Sequence, residues 1–155
     1  MPEITLETVD SRPILAVTRK TSMAGSEIAA AMQADFETLG KFMAANAIHP
    51  IGPPVAIYTD MEGGQVTYEL GFPVGPEDLR KAQDPVHTLH TPAGKVLKTT
   101  HIGSYAQLEK TYDMIEQRIV RDGLRHDGPM WEVYVNDPDT SAESDLLTEI
   151  FCRVA

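Results

Sequence analysis

The segment "MWEVYVND" sets an acid among rings: Trp131, Glu132 and Tyr134 lie within four residues. A carboxylate beside aromatic side chains suits an organic cation. The ring faces attract it, each by about 0.5–2 kcal/mol, and the acid supplies the opposite charge. Two more strand acids, Glu69 in "TYELG" and Glu149 in "LLTEIF", and the rings Tyr58, Tyr105, Tyr112 and Phe151 complete the set of candidates.

Metal chemistry finds little support. His87 and His90 are three apart in a predicted strand and so point to opposite faces, while His49 and His126 are expected in loops. "DPDTSAESD" alternates oxygen ligands like a calcium loop, but has Ala142 where that loop needs Gly and Thr148 where it needs Glu. Cys152 is the single cysteine, lies in an alternating apolar run, and reads as a buried structural thiol. His101, in "HIGSY", reads as a hydrogen-bonded histidine at a strand end. Neither a metal nor a cofactor is expected.

The acid-bearing phrase has an earlier copy. "GPPVAIYTD" begins at Gly52 and "GPMWEVYVND" at Gly128, 76 positions later. At that offset Pro53 matches Pro129, Tyr58 matches Tyr134, and Ala56 stands where the second copy has Glu132. The match runs backwards through Ile48/Leu124, Met43/Ile119, Leu39/Ile115, Phe36/Tyr112 and Met32/Leu108. These spacings lie close to the helical period. Helices are expected over Ser26–Ala47 and Ser104–Gly123, with Ser26 and Ser104 as N-caps and Gly123 as the terminating glycine. A strand precedes each helix ("PILAVTR", "AGKVLKTTH"). Two follow it, joined by the hairpin turn "MEGGQ" in the first copy and by the longer "PDTSAESD" in the second. Across the second turn the offset grows to 80, so Glu69 matches Glu149.

The chain therefore reads as a tandem duplication of a strand–helix–strand–strand unit, residues 4–74 and 86–154. The expected architecture is one α+β domain over 1–155, with an antiparallel sheet, two main helices on one face and a ligand cleft on the pseudo-twofold axis. Alternation within β-strands predicts Trp131, Val133 and Val135 under a helix. It predicts Tyr58, Glu69, Glu132, Tyr134, Glu149 and Phe151 together on the opposite face.

At 155 residues the chain can bury a real core, and its 42% hydrophobic content is ordinary for a globular protein. A net charge of −10 argues against direct nucleic-acid binding. No apolar run approaches a membrane span, and the N-terminus has no signal-peptide pattern, which predicts a cytoplasmic protein without a membrane partner.

The segments "PAGKVLKTTHIGSYAQLEKTYDMI", "GPMWEVYVND" and "LLTEIFCRV" resemble the GyrI-like small-molecule-binding domain, which is also the effector-binding domain of BmrR- and Rob-type bacterial regulators. The resemblance covers nearly the whole chain. It implies binding of aromatic or lipophilic, often cationic, molecules, as in multidrug sensing. The family's acid would fall on Glu132, and its ring walls on Tyr134, Tyr58, Tyr105 and Tyr112. Trp131, Glu149 and Glu69 are further candidates for ligand contact. The family's regulators carry an N-terminal helix-turn-helix segment, which this sequence does not show, so the resemblance is to a stand-alone member. Some stand-alone relatives resemble hydrolases of strained, cyclopropane-bearing toxins, in which an acid and an aromatic hydroxyl activate water; Glu132 with Tyr134 or Tyr58 would be the catalytic pair. Others resemble gyrase inhibitors that act by protein–protein contact.

Overall fold

The computed structural model describes residues 3–155; Met1 and Pro2, the first residues of the expected domain, lie outside the described set. The described residues fold into eight strands and two α-helices, an α+β arrangement in which the strand pairs are antiparallel. The strands are β1 (Thr5–Val9), β2 (Pro13–Ser22), β3 (Val55–Glu62), β4 (Gln65–Pro73), β5 (His87–His90), β6 (Gly94–Ile102), β7 (His126–Tyr134) and β8 (Leu147–Val154). The helices are α1 (Gly25–Ala45) and α2 (Leu108–Arg121). No helix among the described residues is long and apolar enough to cross a membrane.

Two compact units form, and their borders differ from those of the sequence repeat. Among the described residues, one comprises 3–10 and 93–155, the other 11–92. The acid-bearing unit orders its strands β1-β6-β8-β7, and its counterpart orders them β3-β4-β2-β5. The first strand, β1, opens the first copy in sequence but pairs with β6 of the second, Leu6 opposite Leu97. Reciprocally, β5 opens the second copy but pairs with β2 of the first, Ile14 opposite Leu89. Each copy thus contributes one edge strand to the other copy's unit. Periodicity along the chain defines elements; it carries no information about which edge a short strand joins.

The repeat otherwise holds in detail. In the counterpart unit the hairpin from β3 to β4 turns on Gly63 and Gly64, both at positive φ, as a two-residue turn requires. Helix α2 ends as expected. Gly123 adopts φ 66°, and the amide of Leu124 donates to the Ile119 carbonyl at 3.0 Å. The same exit ends α1, with the amide of Ile48 donating to Met43 at 2.9 Å, but the left-handed position is Ala47, φ 52°. Ser104 caps the short 3-10 turn that leads into α2, accepting from the amide of Ala106 at 3.1 Å. Ser26 is not a cap. Helix α1 starts one residue earlier, behind Ala24, whose own amide donates to Ser22 Oγ at 3.1 Å.

In the acid-bearing unit α2 lays Ile115 and Ile119 on Leu97, Ile150, Cys152 and Val154, the apolar face that alternation along β8 predicts. In the counterpart, α1 brings Asp35, Leu39 and Met43 inward, and Tyr68 and Leu70 of β4 are fully buried. His126, expected in a loop, is the first residue of β7.

Candidate functional site

Cross-strand partners in a sheet point to the same side. Glu132 lies opposite Ile150 and Tyr134 opposite Thr148, so both face α2, as Ile150 does. Trp131 lies opposite Phe151 and Val133 opposite Glu149, on the side away from the helix. This inverts the expected arrangement. The alternation within β7 is as read, but its phase relative to β8 is set by register, which one strand's sequence does not encode. Apolar content is a poor guide here because both sides of β7 are buried by different means. Trp131 stacks on Phe151 at 5.1 Å with the rings 5° from parallel, and Glu132 is covered by hydrogen-bonding rings.

The site around Glu132 is built from three elements of one unit. Strand β7 supplies Glu132 and Tyr134, α2 supplies Tyr112 on its inner face, and the turn before α2 supplies Tyr105. Tyr112 and Tyr134 each donate a phenolic hydrogen bond to the Glu132 carboxylate, Tyr134 to Oε1 at 2.8 Å and Tyr112 to Oε2. Tyr105 packs edge-on against Tyr134, centroids 5.9 Å apart and planes at 66°. Glu132 is only 4% exposed, while Tyr105 is 37% exposed and forms the outer wall. Burial pushes the Tyr105 hydroxyl above the ordinary phenol range, and the Glu132 and Asp137 charges add to the effect. A shallow open depression of about 250 Å³ begins at Tyr105, lined also by Ser104, Pro138, Glu143 and Leu146. A second, of about 350 Å³, lies along β1 and β6, away from the acid.

His101 fixes the Tyr105 turn. A backbone carbonyl can only accept, so His101 Nε2 donates to Ser104 O at 2.9 Å, and Nδ1 meets Thr111 Oγ1 of α2 at 2.7 Å. This is the hydrogen-bonded histidine at a strand end that the sequence predicts.

The remaining candidates lie elsewhere. Glu149, on the face away from α2, pairs with Lys98 at 3.2 Å, and Lys98 also sits 5.5 Å over the Phe151 ring. Glu69 faces away from α1, accepting from Thr18 Oγ1 at 2.7 Å and bonded to His87 Nε2 at 2.8 Å. Tyr58 lies opposite Tyr68 on the α1 side and packs edge-on against it at 6.4 Å. The expected single acid-and-ring face is therefore divided: Glu132, Tyr134 and Tyr58 face helices, whereas Glu69, Glu149 and Phe151 do not. Trp131, with Phe151, is on the wrong side of β7 to touch a molecule at Glu132.

The sequence reading missed the counterpart's own polar cluster. Asp35 of α1, 5% exposed, accepts from Tyr68 Oη at 2.7 Å and from Arg19 Nη2 at 2.6 Å. Asp35 holds the Arg19 guanidinium above its usual range, and burial, with the Asp35 bond, drives the Tyr68 hydroxyl strongly upward. An Asp at an otherwise apolar helix position, with a Tyr and an Arg in the neighbouring strands, was the available signal.

Residues 2–155 match the GyrI-like small molecule binding domain. The chain belongs to this family. No curated protein matches it significantly. Among solved structures it is similar to the EcmrR C-terminal domain, with TM-score 0.83 and 17% identity, covering 100% of this chain and 98% of that one. It is similar to a hydrolase from Listeria innocua, with TM-score 0.65 and 16% identity over 99% and 92% of the two chains. It is also similar to SAV2435, solved bound to tetraphenylphosphonium, with TM-score 0.67 and 12% identity over 99% and 94%. At these identities the likeness is one of fold.

Proposed function

We propose that this GyrI-like chain binds lipophilic cations at Glu132, with Tyr105, Tyr112 and Tyr134 as the surrounding rings. One observation carries the reading: a nearly buried carboxylate is clasped by two phenol hydroxyls beneath a third, partly exposed ring. Burying a carboxylate costs several kcal/mol unless hydrogen bonds or a counter-charge offset it. The phenols supply part of that offset and hold both oxygens in place. A cation with an apolar body would add a counter-charge, its charge on Glu132 and its body against the rings. The structural neighbour that holds tetraphenylphosphonium supports this choice of ligand class.

Calorimetric titration with tetraphenylphosphonium tests the reading. Micromolar binding is expected, weakened at least tenfold in Glu132→Gln, a loss of about 1.4 kcal/mol. Gln keeps the shape and one acceptor oxygen, removes the charge, and puts an NH2 donor in place of the second oxygen. Absence of heat with the parent protein both for tetraphenylphosphonium and for a lipophilic ammonium ion, or equal binding by the two proteins, would overturn it. Tryptophan emission is a poor readout because Trp131 lies on the other side of β7.

The direct phenol–carboxylate bonds favour a second reading, turnover of a reactive electrophile. Glu132 would act as base toward water, and Tyr134 would be the acid or orienting group. The neighbour named a hydrolase lends it support. Product formation that survives Glu132→Gln would exclude this role.

A further inference from the structure

The side of the acid-bearing unit that faces α2 carries a polar row across three strands: His101 of β6, Thr148 of β8 and Tyr134 of β7, successive cross-strand partners. Beside it, Thr99 of β6 lies opposite Ile150, which lies opposite Glu132. Among the described residues, the hydroxyls of Thr148 and Thr99 are buried without a hydrogen-bond partner; Thr148 is 0% and Thr99 2% exposed. The neighbouring groups are committed elsewhere. Thr111 bonds His101, His101 bonds the Ser104 carbonyl, and the Tyr134 proton goes to Glu132.

The counterpart unit shows how the same row looks when it is closed. The position of Thr148 is held there by Tyr68, that of His101 by Arg19, that of Thr111 by Asp35 and that of Thr99 by Val17. Tyr68, Arg19 and Asp35 satisfy one another, and Val17 has no polar atom to satisfy. A buried hydroxyl left unbonded costs free energy that an isosteric Val would not. Among the described residues, both orphans lie in the unit that has the acid. Thr148 is the nearer one, diagonal to Glu132 across β7 and β8, a relation in which neighbours lie about 7–8 Å apart.

We infer that Thr148 is a specificity-determining residue of the Glu132 site, hydrogen-bonding an N–H or O–H group that lies next to the ligand's charge. The site is then matched to protonated amines and amino alcohols above quaternary onium ions, whose charge is sheathed in carbon. This rests on the reading of Glu132 as a cation site. It adds a directional contact to a pocket that charge and rings alone would leave indifferent to the form of the cation.

Two probes with one apolar body separate the ideas: (4-biphenylyl)methylammonium and its N,N,N-trimethyl analogue, titrated calorimetrically into the parent, Thr148→Val and Thr148→Ser. Thr148→Val is expected to weaken the ammonium about tenfold and to leave the trimethyl analogue within about twofold. Thr148→Ser should restore the ammonium. The Tm of Thr148→Val should equal or exceed the parent's, because an unbonded hydroxyl is removed. A lower Tm would mean the hydroxyl is already satisfied, for example by water, and would overturn the inference. So would equal effects on both probes, no effect on either, or parent binding of tetraphenylphosphonium without the ammonium. In those cases the Glu132 reading stands if Glu132→Gln still weakens cation binding. If the parent binds none of the three cations, the Glu132 reading itself fails.

Discussion

The two units share one plan and differ in what occupies its centre. At matching positions the counterpart has Ala56, Phe36 and Tyr58 where the acid-bearing unit has Glu132, Tyr112 and Tyr134. Adding a carboxylate went together with adding a hydroxyl on the facing helix, since Tyr112 is Phe36 with a phenolic oxygen that donates to Glu132. Polarity in the counterpart lies one row away and is closed on itself as the Arg19–Asp35–Tyr68 cluster. One unit thus spends its buried polarity on its own fold. The other directs it at an acid that accepts from two phenol hydroxyls. A duplicated scaffold can diverge in this way without either unit altering its strands.

The sharpest way to break the comparison is to move the acid. Ala56 is fully buried opposite Leu70. Ala56→Glu should destabilise the protein by about 3–5 kcal/mol, because the new carboxylate lacks the hydroxyl Tyr112 supplies to Glu132. Adding Phe36→Tyr should recover about 1 kcal/mol. Urea unfolding of the single and double variants measures both, and a harmless Ala56→Glu would mean that the acid needs no prepared setting.

Alkaline pH separates the units next. Burial, with a further push from Glu116, raises the Cys152 thiol to about 11 from an ordinary value near 9. Between those values the folded state holds a proton that the unfolded chain has released. Stability from this source is complete below about pH 9 and is lost as pH rises to about 11, roughly 2–3 kcal/mol in all. Tyr68 in the counterpart is also raised, so its contribution is lost only as pH climbs above the phenol's ordinary 10. Cys152→Ala should flatten the pH 9–11 slope of unfolding free energy. An unchanged slope would show that the thiol does not set it.

The smallest effect sharpens the symmetry itself. Ala47 and Gly123 occupy the same left-handed helix exit, and only glycine adopts it without strain. Ala47→Gly should stabilise by about 0.5–1 kcal/mol and Gly123→Ala should cost about 1 kcal/mol, read from Tm. Opposite signs at equivalent positions are the expectation; equal signs would mean that the two exits differ in more than this residue.

Much of this was legible in the residues. The 76-residue offset placed both helices and paired Tyr58 with Tyr134, and the Gly63–Gly64 turn and the Gly123 exit follow from local backbone chemistry. Glu132 stood out because one copy has an acid where the other has Ala56. Its clasp by Tyr112 was not legible, because a helix residue and a strand residue 20 positions apart meet only through packing. The side of β7 was misjudged for a related reason: an alternating strand offers two phases, and Trp131 and Glu132 each made a plausible inner face.

By itself the sequence determined what is local or repeated: element types, turn chemistry, the duplication and the odd acid. Those depend on interactions between residues close in the chain or on a pattern visible in both copies. Tertiary structure alone decided strand register, the exchange of β1 and β5 between copies, and the meeting of Glu132 with two phenols. Each of these depends on which distant backbone edges pair and how far they slide, and a slip of one residue would turn Glu132 away from α2 and Trp131 towards it.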